Sequence, residues 1–529
     1  MRALKTLAAC VIACLGLVLA ASSAAAQPLS FVPADGPYHL AIVFPDAPAN
    51  PGIRMLELER GTDKRVSGKL VSDWYGNMRM DNIVVTPTLL TFDMRNINTP
   101  GVPIRHWTAR VTPQGIALEG GIWDSKVMLV GRRASDAEVA ALTFHETALP
   151  PLTTLAPDGL AKTPPMGWSS WNKFAEKIDD ATIRAIADAM VTTGLREAGY
   201  LYVNIDDGWQ GTRGPDGQIR PNAKFPDMKA LADYVHSRGL KLGLYSSPGP
   251  RTCAGYEGSY GHVQQDARTF AGWGVDYLKY DLCSGEWFYA DADTVQRSYA
   301  EMGAALRATG RPIVYSLCEY GRFRVGSWGR SVGGHLWRTT GDITDDYATM
   351  ARIGFEKNGD PADAGPGGWN DPDMLEVGNG GMSEDEYRTH MTLWAMSAAP
   401  LMMGHDVRTT NESAKRLLEN RGVIAIDQDA KGVQGKAVRK DGASEIWLKP
   451  LATGGYAIAL FNRGGAPATM TLTPDLVGLP TIGALRDVWS GAPVAARVTR
   501  FAVPAHGVVL LESLPQGRAG VTESIVKAN

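Results

Sequence analysis

A set of carboxylates stands just beyond short apolar runs along the middle of the chain. Asp206 and Asp207 follow Leu201–Ile205, Asp281 follows 275–280, and Glu319 follows 312–317. Asp342 comes soon after Leu336-Trp337, and Asp371 and Asp373 after 367–369. Carboxylates gathered at one place must relieve their repulsion. They can bind a metal, hold protons, or pair with cations such as Lys279 and Arg338. Sugar chemistry uses such a set well. Glycosidic cleavage needs one protonated carboxyl to assist the leaving oxygen and a second, ionised one on the other face of the ring. Further carboxylates accept hydrogen bonds from sugar hydroxyls. Trp168, Trp171, Trp209 and Trp369 lie near the same run ends and offer faces for the apolar side of a pyranose. Metal chemistry is the competing reading, since Asp371-Pro372-Asp373 could supply oxygen ligands. No regular ligand-loop spacing accompanies it, and the nine histidines include no His-x-x-x-His pair. No phosphate-cradling glycine loop or serine elbow is evident, so neither metal nor cofactor is expected.

The elements that must position these residues follow from the pattern. From 163 to 429 apolar strands alternate with helical periodicity. The clear strands end at Ile205, Tyr245, Tyr280, Leu317 and Trp337; weaker ones lie at 166–168, 367–369 and 401–403. Between them Ile183, Ile186, Ala187 and Met190 share one helical face, as do Met228, Leu231, Ala232 and Val235. Ser383 reads as the N-cap of a helix opening at Glu384. Eight such units predict a central (β/α)₈ TIM barrel, whose chemistry belongs at the C-terminal ends of the strands. Residues 27–151 alternate in short runs separated by turn residues, as in an N-terminal antiparallel β domain, a small barrel or sandwich. That domain is expected to be an accessory packing module or to contact a glycan. Residues 152–162 read as a linker, 430–515 as a C-terminal antiparallel β-sandwich, and 516–529 as a loose tail. The chain is thus multidomain α/β.

A net charge of −3 supplies no basic footprint for nucleic acid. Arg2 and Lys5, the apolar stretch Leu7–Ala20 and Ala24-Ala25-Ala26 read as a cleaved signal peptide over 1–26. Export to the periplasm or medium is expected, with no membrane anchor after cleavage. Cleavage would leave Cys253, Cys283 and Cys318, enough for at most one internal disulfide.

Five segments together resemble glycoside hydrolase family twenty-seven, the α-galactosidases or melibiases. They are Thr163-Pro-Pro-Met-Gly-Trp168-Ser-Ser-Trp171-Asn172, Asn204-Ile-Asp206-Asp207-Gly-Trp209, Tyr277-Leu-Lys279-Tyr-Asp281-Leu-Cys283, Trp337-Arg338-Thr-Thr-Gly-Asp342, and Gly368-Trp-Asn-Asp371-Pro-Asp373-Met-Leu375. The resemblance spans about Thr163 to Leu514. It implies a retaining enzyme that removes terminal α-D-galactosyl units from oligosaccharides or galactomannan-type side chains. By the same resemblance Asp281 is the nucleophile and Asp342 the general acid and base. Asp206 and Asp207 hold the 4- and 6-hydroxyls; Lys279, Arg338 and Asp373 belong to the same substrate-binding set. Trp171 and Tyr245 line the pocket, and Cys318 with Glu319 reads the 2-position. Cys253 and Cys283 pair as a disulfide, leaving Cys318 free.

Strand alternation puts Lys279 and Asp281 on one face, so the ammonium should favour an ionised nucleophile. The field of the other carboxylates should raise the pKa of Asp342. On the same scaffold a β-L-arabinopyranosidase would lack a use for one of the Asp206–Asp207 pair. An α-N-acetylgalactosaminidase would need room where Tyr320, Trp in plant-like members, is bulky. A non-catalytic sugar-binding protein would be marked by loss of Asp281 or Asp342, and both are present.

Overall fold

The computed structural model describes residues 29–513, apart from 33–34, 46–51, 75, 95–104, 123–124, 144–145, 290 and 498. The expected signal peptide and C-terminal tail therefore lie outside the described residues.

Nine strands form the N-terminal sheet: β1 (Tyr38–Val43), β2 (Ile53–Arg60), β3 (Val66–Ser72), β4 (Gly76–Arg79), β5 (Asp81–Val85), β6 (Leu89–Met94), β7 (Arg105–Thr112), β8 (Gly115–Ile122) and β9 (Ser125–Arg133). A turn at 86–88 separates β5 from β6. The sheet order is β4-β3-β2-β1-β9-β8-β7-β6-β5, and all pairings are antiparallel. Because β4 and β5 adjoin in the chain but end opposite sides of the sheet, the sheet must roll. The Met80 N–H between them donates to the Gly68 carbonyl of β3 at 3.1 Å. Leu40, Ile42, Leu56, Leu58, Phe92 and Trp107 alternate inward and fill the roll.

Eight parallel strands build the centre: β10 (Met166–Ser169), β11 (Tyr202–Asn204), β12 (Lys241–Ser246), β13 (Tyr277–Asp281), β14 (Val314–Cys318), β15 (Leu336–Arg338), β16 (Trp369–Asp371) and β17 (Leu401–Met403). They pair in chain order from β10 to β16, and β17 pairs with β10. The circle closes just past β16. There Leu375 bridges Met403, its N–H donating to the Met402 carbonyl at 2.7 Å. The helices pack by the faces their periodicity marks: Ile183, Ile186, Ala187 and Met190 are buried on one, and Met228, Leu231, Ala232 and Val235 on another. Their starts are fixed by side-chain acceptors. Asp179, Asp227, Asp291 and Ser383 each receive a first-turn N–H.

The C-terminal part is a six-stranded antiparallel sheet facing a two-stranded one. Strand alternation divides its side chains. Ile446, Ile458, Leu460 and Leu511 face Met470 and Val503 of the small sheet. Trp447, Ala459, Phe461 and Leu510 join the barrel's own core. The large sheet is thus buried on both faces, which fixes it against the barrel.

Candidate active site

The barrel strands deliver their carboxylates to one mouth. Asp281 is the last residue of β13, 5% exposed, and registers with Cys318 on β14. Its Oδ1 accepts a hydrogen bond of 2.6 Å from the Tyr320 hydroxyl. Burial raises its pKa above the usual carboxylate range; Lys279 and the Tyr320 hydroxyl offset part of that, and the charge of Asp342 adds to it. The ammonium expected beside Asp281 has its direct ion pair elsewhere. Lys279 Nζ donates to Asp206 Oδ2 at 2.9 Å. Burial alone would lower the Lys279 pKa, but Asp206 and then other nearby charges overcome it and keep the ammonium charged.

Asp206 and Asp207 lie just past β11, both buried. Asp206 also accepts from Ser169 Oγ at 3.3 Å, and its backbone N–H donates to Ser170 Oγ at 2.9 Å. The two serines thus hold the aspartate turn. Asp207 accepts from the Ala254 N–H at 2.7 Å, yet burial lifts its pKa to about 7.

Arg338, at the end of β15, is the hub of the opposite side. One nitrogen, Nη2, lies 3.0 Å from Asp342 Oδ1 and 3.0 Å from Asp373 Oδ2. Asp373, at φ +84°, also accepts from the Ile343 N–H at 2.9 Å, which ties the loop bearing Asp342 to it. Its backbone N–H donates to Asp371 Oδ1 at 2.9 Å. Burial raises Asp371 to about 6, against the pull of Arg338. Asp342 itself stands at the rim, its side chain 68% exposed. The expectation of a raised pKa for Asp342 is overturned. What burial it has works upward, but Arg338 and then Lys279 outweigh it and hold it below the usual range. A direct guanidinium contact at 3.0 Å defeats the diffuse field of more distant carboxylates.

Other expected residues divide. Tyr245, buried on β12, brings its hydroxyl 3.1 Å from Cys283 Sγ and its ring under Lys279. Cys253 and Cys283 form the disulfide, and Cys318 is a free buried thiol whose Sγ lies 3.8 Å from Arg338 Nη1. Glu319 is buried but stands apart from the cluster. Its Oε1 receives the Gly321 N–H at 3.4 Å, its Oε2 has no partner, and burial raises its pKa to about 8. In a strand, successive residues point to opposite faces, so the Cys318 side that meets Arg338 is the face Glu319 leaves. The four tryptophans do not act together. Trp168, Trp209 and Trp369 are fully buried, their ring N–H groups spent on the carbonyls of His405, Tyr245 and Ala161. Only Trp171 keeps part of its surface.

A cavity of about 30 Å³ lies among Asp206, Lys279, Ser316, Arg338 and Asp371, with Leu244, Met374 and Met402 completing its walls, enough for a water molecule. Among the described residues, the donors that converge as for a cation belong to Cys253, Asp281 and Cys283. Two of them are the disulfide's sulfurs, which carry no thiolate charge. Sequence reasoning missed the Tyr320 hydroxyl, treated only as bulk, and the contacts of Ser169 and Ser170 with Asp206. For Tyr320 the signal was its departure from the Trp of plant-like members.

Comparison with known proteins supplies the family. The pattern of the family described as alpha galactosidase A matches residues 163–429, and that of the alpha galactosidase C-terminal beta sandwich domain matches 441–513. An α-galactosidase of Cyamopsis tetragonoloba is 48% identical over 342 residues, covering 63% of this chain and 82% of that protein. Alpha-galactosidase A of Cellvibrio japonicus is 43% identical over 383 residues, 68% of this chain and 93% of that one. The crystal structure of α-galactosidase I from Mortierella vinacea superposes with a TM-score of 0.65 at 35% identity, covering 68% of this chain and 98% of that one. With catalytic-barrel and sandwich patterns both matched in order, the chain belongs to the α-galactosidase A family and is a glycoside hydrolase.

Proposed function

We propose that this enzyme removes terminal α-D-galactosyl residues from oligosaccharides or galactosylated polysaccharides, with retention at the anomeric carbon. The observation that carries the reading is the pair of contrasting carboxyls. Asp281 is buried and clasped by a hydroxyl donor; Asp342 is at the solvent rim on a guanidinium. In the first displacement Asp281 attacks the anomeric carbon while the glycosidic C–O bond breaks. Asp342 gives its proton to the departing oxygen, and a covalent glycosyl ester forms. In the second, Asp342, now ionised and stabilised by Arg338, takes a proton from water. That water attacks the anomeric carbon and the ester bond to Asp281 breaks, releasing α-galactose. Asp206 and Asp207 accept hydrogen bonds from the sugar's 4- and 6-hydroxyls. Lys279, Arg338 and Asp373 fix the charge around them, and Trp171, Tyr245 and Cys318 line the pocket. Glu319 contributes from behind the strand, through the turn that carries Tyr320. The enzyme acts outside the cytoplasm: the leader-like 1–26 and the Cys253–Cys283 disulfide both suit an oxidising compartment.

Proton NMR during hydrolysis of nitrophenyl α-D-galactoside tests this. The wild-type protein should release α-galactose first, and a folded Asp281→Asn variant should release none. Early β-galactose would mean inversion and remove Asp281 as nucleophile.

A further inference from the structure

Outside the carboxylate mouth, a cleft of about 720 Å³ lies between the N-terminal sheet and the barrel. Its walls include Arg79 and Asp81 from β4 and β5, Glu146 from the connecting segment, and Tyr260, Trp287 and Phe288 from the barrel. That volume lies within the range of small-molecule sites, and domain junctions are where such sites concentrate.

Three observations say what would fit. First, the cleft adjoins the reacting residues through one loop. Residues 282–288 leave the end of β13 at Asp281, pass through Cys283 and its bond to Cys253, and present Trp287 and Phe288 to the cleft. Second, the two sides are held in place. Arg251, from the barrel loop that carries Cys253, reaches Asp73 of the N-terminal domain at 3.5 Å and Glu257 at 3.1 Å. Trp287 packs on the N-terminal core. The Thr147 N–H donates to the Tyr260 hydroxyl at 2.9 Å, and Arg297 to the Pro150 carbonyl at 2.8 Å. Third, the lining mixes aromatic rings, Tyr260 and Phe288 being 4.8 Å apart, with charges of both signs. Rings suit the apolar faces of pyranoses, and charges that balance select hydroxyls over a charged ligand.

We infer that this cleft binds the unhydrolysed part of a neutral, galactosyl-bearing polysaccharide, so that the N-terminal domain supplies a subsite for the polymer backbone. This rests on the galactosidase reading above and deepens it.

The test uses the mature chain with Arg79→Trp, which fills the cleft from an exposed strand position, and Phe288→Ala, which removes a ring. Nitrophenyl α-galactoside, galactomannan and the galactose-free backbone fragment mannotetraose serve as probes. Both variants should hydrolyse the nitrophenyl galactoside within about twofold of wild type. Galactose release from dilute galactomannan should fall at least tenfold. Mannotetraose should bind wild type saturably by calorimetry and lose that binding in Arg79→Trp. Unchanged galactomannan rates in both variants, or no mannotetraose binding to wild type, would overturn the cleft's role. Failure of the wild type on the nitrophenyl galactoside would instead overturn the galactosidase reading.

Discussion

Removing one oxygen, in Tyr320→Phe, tests the electrostatics of the proposed nucleophile. The 2.6 Å bond from that hydroxyl is the direct donor to Asp281 Oδ1, in a site that is 5% exposed. Hydrogen bonds to charged groups contribute about 1.5–3 kcal/mol, which corresponds to about 1–2 pKa units. The loss therefore raises the Asp281 pKa further by that amount. The consequence depends on which carboxyl holds its proton more tightly. Burial already raises Asp281, whereas Arg338 lowers Asp342. The reactive form, Asp281 ionised and Asp342 protonated, is then the minor one of the two singly protonated states. Its share falls as the Asp281 pKa climbs. The plateau of kcat/KM should drop about 10- to 100-fold, and the alkaline limb should move to higher pH. Rates well above both pKa values should stay unchanged, because there Asp281 is ionised in either protein. The assay is a pH profile of kcat/KM on nitrophenyl α-galactoside, with circular dichroism to confirm folding. An unchanged profile would mean the hydroxyl does not act on the nucleophile. A displaced acid limb with a fixed alkaline limb would reverse the order of the two pKa values.

Three further outcomes follow from the same contacts. Arg338→Met leaves Asp373 buried without its cation and should cost about 3–5 kcal/mol in urea unfolding, together with activity; a loss below about 1 kcal/mol would refute the hub role. Replacing Cys253 and Cys283 together by serine frees a loop spanning 30 residues and should cost up to about 3–4 kcal/mol on chain-entropy grounds, read as a lower Tm that reductant no longer changes. Stability should fall as pH rises from about 5.5 to 8. Asp371 (about 6), Asp207 and Glu376 (about 7) and Glu319 (about 8) hold protons in the folded chain that the unfolded chain releases near pH 4. His390 and His405, lowered by burial to about 3 and about 4, act the opposite way below about pH 6.5, and so only over the lowest part of this range. Calorimetric Tm at pH 5.5 and 8 decides it, and a higher value at pH 8 would contradict the sign.

What could be read from the chain was whatever depends on local periodicity. Alternating strands and helical faces are short-range patterns, so 166–169, 202–204 and 277–281 were visible, as were the faces of 180–192 and 228–237. The mouth's carboxylates were visible for the same reason, since strand ends in a barrel converge. The pairings across the mouth were not. Alternation put Lys279 and Asp281 on one face of β13, yet the ammonium's reach spans two strands to Asp206, and nothing in the spacing distinguishes the two partners. The four tryptophans failed similarly. Their place near strand ends was right, but exposure depends on whether an indole N–H meets a distant carbonyl, as Trp168 does with His405.

Asp342 shows the limit most clearly, and it matters for the chemistry. Counting charges along the sequence gives an aspartate among aspartates and hence a raised pKa. Arg338 was in the same count, four residues earlier, but its weight depended on a 3.0 Å contact that the loop after β15 has to create. The same nitrogen that meets Asp342 meets Asp373, and Asp373 holds the Asp342 loop through the Ile343 N–H. Under the proposed double displacement, the guanidinium therefore does two things that conflict in the first step and agree in the second. It disfavours the protonated acid that must donate to the leaving oxygen, and it stabilises the ionised base that must accept a proton from water. The ligand-free site is arranged as that base. A galactoside seated against Asp206, Asp207 and Arg338 would draw the guanidinium's hydrogen bonds onto its own hydroxyls, loosening the hold on Asp342. On the proposed mechanism, the rim carboxyl would then gain its proton when the substrate is present to receive it.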